Sequence, residues 1–356
     1  MKVMHVGEYV KGGVATYLDE VIKYQNECEE ISEVYLVLSE TNSEKGFSIN
    51  NNNLIFYPYE RKVKNFIGAM SSIWKSIKKN EPDIVHVHST FAGFFVRVPL
   101  FFTKKKYKII YCSHGWSFCM QVSNMKKALY AGIEKLLSVK TDKIINISFN
   151  EYQESISRGF SKGKSRLIYN GVSAEFRKSS IDYRLDSSKI NLLFVGRFDH
   201  QKGLDILLDF FSHYQNEKIK LYTIGDSILK KNDLVIPDNV ESIGWINHDE
   251  IDSYYSLFDA VIIPSRWEGF GLVAIEAMKN AKAIIVSNRG ALPEFVGNDN
   301  GYVFSLENLE SLKDILDHLD KKELTVKGFR GLEEFNQKYT SNRMNQEIID
   351  LYKEMM

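Results

Sequence analysis

Short apolar runs rich in β-branched residues alternate with amphipathic stretches along almost the whole chain. In the first half the runs fall at residues 3–6, 34–38, 54–57, 84–87, 109–112, 144–147 and 167–169. Between them, 63–79 and 126–139 repeat apolar positions at helical spacing. Residues 173–189 carry no strong apolar period, and then the pattern restarts, with runs at 191–196, 221–224, 240–243, 260–263 and 283–286 and a helical stretch at 204–211. Alternating β and α of this kind predicts doubly wound parallel sheets, and the restart predicts two of them. The expected fold class is therefore α/β. Residues 1–172 form one Rossmann-like domain, 173–189 a linker and 190–340 a second domain. The helical segment 341–356 is expected to cross back to the first domain. Ligands of open α/β sheets sit beyond the carboxyl ends of the strands, so the two domains are expected to face a central cleft.

With 356 residues, 44% hydrophobic and 26% charged, the chain has ordinary material for two cores. The net charge of zero hides an asymmetry. Residues 1–178 hold 26 basic against 17 acidic side chains, or +9, and the remainder holds 20 against 29, or −9. A basic first half suits an anionic surface or a phosphorylated substrate, although surface charges that merely drifted apart would look the same. No nucleic-acid motif accompanies it, so no nucleic-acid partner is expected. Cys28, Cys112 and Cys119 lack the spacing of a disulfide framework or a zinc site. The start of the chain reads as a strand rather than a signal peptide, and no apolar run reaches eighteen residues. A cytoplasmic location follows as the expectation. Residues 91–106 join an aromatic run to Lys104, Lys105 and Lys106, as interfacial segments do. The other reading is a buried helix, ended or kinked by Pro99, with a solvated lysine turn. The first reading places the protein peripherally on the inner face of the cytoplasmic membrane.

Two strand–loop–helix junctions in the second half carry the chemistry. One runs from Pro264 through Glu268, Gly269, Phe270 and Gly271 into a helix starting with Leu272. Its glycines let backbone approach a ligand, and free N–H groups at a helix start suit a diphosphate. Glu268 in the loop and Glu276, about two turns into the helix, can accept hydrogen bonds from sugar and ribose hydroxyls. A capped helix with one solvated glutamate is the plainer alternative. The other junction, after the strand ending at Gly196, places Arg197 and Lys202 where fixed cations could neutralise a leaving diphosphate. In the first half, Gly12 and Gly13 could form a phosphate-approaching loop, short of a full dinucleotide fingerprint. His114 follows the strand 109–112 and is expected to point at the cleft. His86 and His88 share one face of their strand; His86 reads as structural, and His88 is open between the two roles. No Asp-x-Asp, phosphate-binding P-loop or Gly-x-Ser-x-Gly elbow occurs.

Taken together, these motifs resemble the retaining GT-B glycosyltransferases of family 4, the "group 1" family. The resemblance rests on Ile168-Tyr169-Asn170-Gly171-Val172 with Phe176 downstream, Gly196-Arg197 with Lys202-Gly203, Glu268 with Glu276, and Gly290-Ala291-Leu292-Pro293-Glu294. It implies that Arg197 and Lys202 bind the donor diphosphate, helped by Gly12 and Gly13. It also implies that Glu268 and the backbone of Gly269, Phe270 and Gly271, at the start of the Leu272 helix, hold the transferred sugar. Glu276 takes the ribose hydroxyls, and His114 sits near the reaction centre. The implied reaction is metal-independent transfer, without any cofactor, from a nucleotide sugar, UDP-sugar favoured, to a glycan. The expected acceptor is a polyprenyl-diphosphate-linked oligosaccharide of an O-antigen or capsule, at an anionic membrane surface. Two departures matter: Gly290-Ala291 replaces the commoner Gly-Gly, and Gly225-Asp226-Ser227 replaces the usual Gly-x-Gly, which leaves the base unread. A sugar-nucleotide epimerase on the same fold and a non-catalytic nucleotide-sugar-binding partner are the rival functions.

Overall fold

The structure, a computed structural model, describes residues 1–226, 235–297 and 299–356. The chain divides into two compact units, Met1–Val172 with Ser341–Met356, and Ser173–Thr340. Ser227, part of the expected base-contacting turn, lies outside the described residues.

Unit 1 runs β1 (Lys2–Gly7), α1 (Gly13–Glu27), β2 (Glu33–Ser39), β3 (Leu54–Tyr57), α2 (Phe66–Asn80), β4 (Ile84–His88), α3 (Thr90–Arg97), β5 (Lys108–Cys112), α4 (Asn124–Ser138), β6 (Lys143–Asn146), α5 (Phe149–Ser157) and β7 (Ser165–Leu167). Its seven strands lie in the order β3-β2-β1-β4-β5-β6-β7, every pair parallel. Strands covered on both faces by helices read as continuous apolar runs, which is why these were visible in the sequence. β7 lies two residues earlier than the apolar run at 167–169. The later residues of that run turn to the C-terminal helix instead: the Tyr169 carbonyl accepts from Arg343 at 2.5 Å, and Gly171 N–H points at Met344 Sδ, 3.2 Å away.

Unit 2 contains β8 (Ile190–Val195), α6 (Leu204–His213), β9 (Ile219–Ile224), β10 (Val240–Gly244), α7 (Ile251–Leu257), β11 (Ala260–Ile263), α8 (Leu272–Lys279), β12 (Ala283–Ser287), β13 (Gly301–Phe304), α9 (Glu310–Asp317) and α10 (Lys321–Lys338). Its sheet, β10-β9-β8-β11-β12-β13, is again parallel throughout. Residues 173–189 form no helix or strand, yet they are fastened to this unit. Arg177 N–H donates to Asp252, Ser179 N–H to Ser253, and Arg177 pairs with Asp249. The last helix, α11 (Ser341–Met355), returns to unit 1 and buries Met344, Ile348, Ile349, Leu351 and Tyr352 there.

Both sheets reverse their strand order once, between β1 and β4 and between β8 and β11. The loops that follow these strands flank the switch point where such sheets bind ligands.

The aromatic run after Ser89 is core rather than interface as far as Leu100. Phe95 is buried in ring contact with Tyr59, Phe66, Phe91 and Phe94. The helix stops at Arg97, and a 3-10 turn containing Pro99 follows; Phe91 and Phe94 are half-buried, and Phe101 and Phe102 are exposed. Arg97 itself is fully buried. It donates to Gly93 O at 2.8 Å and to Glu134 of α4 at 2.7 Å, while its guanidinium lies 3.8 Å from the Tyr111 ring centroid. Tyr111 O–H donates to the other Glu134 oxygen at 2.9 Å. Removing one member strands a buried charge, so Arg97→Ala should cost about 3–5 kcal/mol of stability in urea unfolding.

Candidate functional site

In unit 2 the loops after β8 and β11 are built against each other. The first turns around Asp199, whose carboxylate accepts from Lys202 N–H at 3.0 Å and pairs with Arg197, also at 3.0 Å. Gly203 ends the loop in a left-handed conformation, and a Cβ there would stand 2.3 Å from Pro264 O. Across that contact Lys202 Nζ donates to Glu268 Oε1 at 2.5 Å, and Ser265 O–H donates to the same oxygen at 2.9 Å. Ser265 is held in turn, its carbonyl accepting from Ser287 O–H at 2.7 Å. The pair is largely shielded, with side-chain exposures of 19% for Lys202 and 8% for Glu268. Arg197 is more open, at 40%.

A second glycine fixes Glu268 from the other side. At Gly290, also left-handed, a Cβ would lie 2.1 Å from Glu268 O, and Ala291 N–H donates to that oxygen at 3.3 Å. The Gly290-Ala291 turn therefore needs glycine only at its first position. Gly225 is explained similarly, since a Cβ there would lie 1.9 Å from Gly196 O.

Gly271 caps α8 in the left-handed region with no side-chain cap and no acidic residue in the first turn. Leu272 opens the helix, after Gly269 and Phe270 in the loop. The Phe270 ring packs inward on Phe295 and Tyr339, so only its backbone is positioned for a ligand. Glu276 is the fifth residue of α8, little over one turn in rather than two; it accepts from Tyr255 O–H at 3.1 Å. Ser265 and Tyr255 had no signal in the sequence, because their roles come from contacts 3 and 21 residues away.

In unit 1, Gly12 takes φ 57° at the N-cap of α1, and Gly13 is the helix's first residue. Gly12 N–H donates to Glu44 Oε1 at 2.8 Å. Ser89, directly after β4, and His114, two residues after β5, are non-glycine residues at φ 76° and 53°. Such strain persists only where the surroundings impose it and concentrates at functional sites.

The profile of the "Glycosyltransferase Family 4" domain matches residues 11–176, and that of "Glycosyl transferases group 1" matches 175–330. A Klebsiella pneumoniae protein, "Uncharacterized 41.2 kDa protein in cps region", is 34% identical, the alignment covering 99% of each chain. The chain belongs to the group 1 glycosyltransferases. It is also 26% identical to the Escherichia coli "O-antigen biosynthesis glycosyltransferase WbnH", over 87% of this chain and 86% of that one. The crystal structure of Anabaena HepE in complex with UDP shares the fold, with a TM-score of 0.80, 17% identity and coverage of 99% and 100%.

Behind His114, this group 1 glycosyltransferase holds a row of imidazoles. His114 Nε2 is 2.9 Å from His88 Nδ1, and His88 Nε2 is 2.9 Å from His5 Nδ1. His86 lies beside them, and the three rings of His5, His86 and His88 bring one nitrogen each within 4.8 Å. His86 and His88 are both fully buried. His114, expected to point at the cleft, is partly covered, and its Nε2 bonds to the buried His88. Burial lowers His5 to about 4 and His114 to about 3, and holds His86 and His88 well below the ordinary 6.5. Above 6.5 both folded and unfolded chains carry neutral rings. Below it the unfolded chain takes up protons that the folded chain refuses, so stability falls as pH drops from 6.5 towards 4. A single ring that stays neutral where its unfolded counterpart is fully protonated contributes at most about 1.4 kcal/mol per pH unit. Urea midpoints measured from pH 7.5 to 5 should therefore decline, and a flat profile would exclude a neutral buried row.

Proposed function

We propose that this protein moves a sugar from a nucleotide-sugar donor, UDP-sugar favoured, to a hydroxyl of a polyprenyl-diphosphate-linked glycan, with retention of anomeric configuration. The observation that carries the transfer is the shielded Lys202–Glu268 pair at the switch point of unit 2, beside the uncapped start of α8. A lysine held there by a buried carboxylate is a cation set in place before any ligand arrives, which is the condition for stabilising charge that develops during reaction. Arg197, tied to Asp199 at the same loop, supplies a second. The UDP bound to the Anabaena protein supports the donor class. The Escherichia coli relative's name and the Klebsiella relative's "cps region" support a surface-polysaccharide acceptor.

In this reading the bond from the anomeric carbon to the diphosphate breaks while an acceptor hydroxyl forms a new bond on the same face. The hydroxyl proton passes to the departing phosphate oxygen, the nearest base on that face. Negative charge grows on the diphosphate, where Lys202, Arg197 and the N–H groups of Gly269, Phe270, Gly271 and Leu272 oppose it, with no metal or cofactor required. Glu276 takes the ribose hydroxyls. Glu268 holds Lys202 and the transferred sugar. Unit 1, with Gly12, Gly13 and His114, serves the acceptor and the reacting sugar.

A membrane site is supported by α4. Met125, Leu129, Ile133 and Leu136, with Val139 just beyond, project from it at helical spacing and are exposed. Exposed Lys126 and Lys135 flank this stripe, and Lys140 lies 5.0 Å from the ring of exposed Phe101. The one carboxylate on α4, Glu134, is buried against Arg97. Apolar residues ringed by lysines suit the headgroup region of an anionic bilayer. No helix among the described residues is long and apolar enough to cross a membrane.

Thermal shift against UDP-, GDP- and ADP-sugars should pick out one nucleotide class, the shift disappearing in Lys202→Ala. Turnover should fall by about 10²-fold or more in both Lys202→Ala and Arg197→Ala with folding intact; normal rates in both would overturn the assignment. Anionic vesicles should sediment the wild-type protein at low salt, and Leu129→Glu with Ile133→Glu should abolish this. Equal recovery on neutral vesicles, or none on anionic ones, would remove the membrane site.

A further inference from the structure

The histidine row does not end at His5. His5 Nε2 lies 2.9 Å from Gln25 Oε1, and the Gln25 amide N–H donates to Tyr352 O–H at 3.3 Å. Tyr352 Oη is 2.7 Å from His86 Nδ1. Seven groups from β1, α1, β4, β5, the loop after it and α11 are thus strung together, closing at Cys112 Sγ, 3.7 Å from His114 Nδ1.

A neutral imidazole has one donor and one acceptor nitrogen, so each proton in such a row dictates the next. Gln25 Oε1 only accepts. His5 must therefore carry its proton on Nε2, and its Nδ1 accepts from His88 Nε2–H. His88 Nδ1 then accepts from His114 Nε2–H, which leaves His114 Nδ1 unprotonated, its lone pair towards the weak S–H donor of Cys112, 3.7 Å away. On the other side, Tyr352 accepts the Gln25 N–H and shares a hydrogen bond with His86 Nδ1. One amide thereby sets the three rings of His5, His88 and His114. The same bonds argue against a metal in the His5, His86 and His88 cluster, because His5 Nδ1 and His88 Nε2 already share a proton.

We propose that Gln25, clamped by Tyr352, is a positioning residue that holds His114 as its Nε2–H tautomer, so that Nδ1 accepts a hydrogen bond from a hydroxyl of the donor sugar. The contact with sugar rests on the function proposed above; the tautomer does not. If the amide turned over, Gln25 would donate to His5, every proton in the row would reverse, and His114 would present Nδ1–H instead. Such a group could not accept from a hydroxyl. The burial that keeps all four rings neutral also keeps this a matter of tautomer rather than of charge.

Long-range ¹H–¹⁵N correlation of the histidine-labelled full chain reads each ring's tautomer directly. Wild type should show His114 protonated at Nε2, and His114→Ala identifies its signals. Gln25→Leu should leave His114 a mixture of tautomers, whereas Gln25→Glu, which can still accept from His5, should keep Nε2–H and covers the case in which the leucine variant does not fold. A wild-type His114 protonated at Nδ1, or a tautomer indifferent to Gln25→Leu, would overturn the relay. With UDP-glucose and UDP as probes, Gln25→Leu should weaken UDP-glucose about ten-fold and leave UDP unchanged, a loss the size of one hydrogen bond. Equal weakening of both would assign Gln25 a structural role alone. If wild type binds UDP and not UDP-glucose, the donor assignment fails while the tautomer measurement still decides the relay.

Discussion

In both sheets every strand runs in the same direction. All carboxyl ends therefore open at one edge, and the loops leaving two neighbouring strands must share that edge even when 66 residues separate Lys202 from Glu268. The remaining geometry of unit 2 follows from this crowding. Gly203 sits against the Pro264 carbonyl and Gly290 against that of Glu268 because no side chain fits there. The ion pair is held by backbone packed without clearance on two sides, rather than by the mutual attraction of two charges alone.

The sequence carried the strands well, because parallel strands under helices read as near-continuous apolar runs. β13 escaped it: four residues led by a glycine on the sheet edge, with Val303 exposed, leave too short a signal. The polar helices α9 and α10 escaped for a related reason, since their apolar stripes are narrow and much of their surface is charged. In the donor loops the residue types and spacings were legible. The partners that orient them, Ser265 and Tyr255, were not, because hydroxyls of this kind are common and only folding selects the few that matter.

The histidines show where sequence reasoning stops. His86 and His88 alternate along β4, and this periodicity is visible in the chain. That His5 stands opposite His86 follows from the register of β1 with β4, which no local pattern dictates. Gln25 and Tyr352 are more remote still, 327 residues apart and joined by one hydrogen bond. A buried polar row needs partners from many elements to be satisfied at all, so it is invisible from any one of them. The same limit applied to residues 91–106, where aromatic content suggested an interface and the partners that bury Phe95 lay elsewhere in the chain.

Unit 1 is discontinuous in the chain. It opens at Met1, is left at Val172 and is completed only by α11, whose first residue donates its N–H to the Val172 carbonyl at 2.9 Å. On the ribosome, the whole of unit 2 is therefore synthesised before the strand-and-helix layer made first can acquire its last helix. The surface that receives Met344, Ile348 and Tyr352 has no α11 to cover it until that synthesis is done, so unit 2, contiguous in the chain, can close before unit 1 is complete.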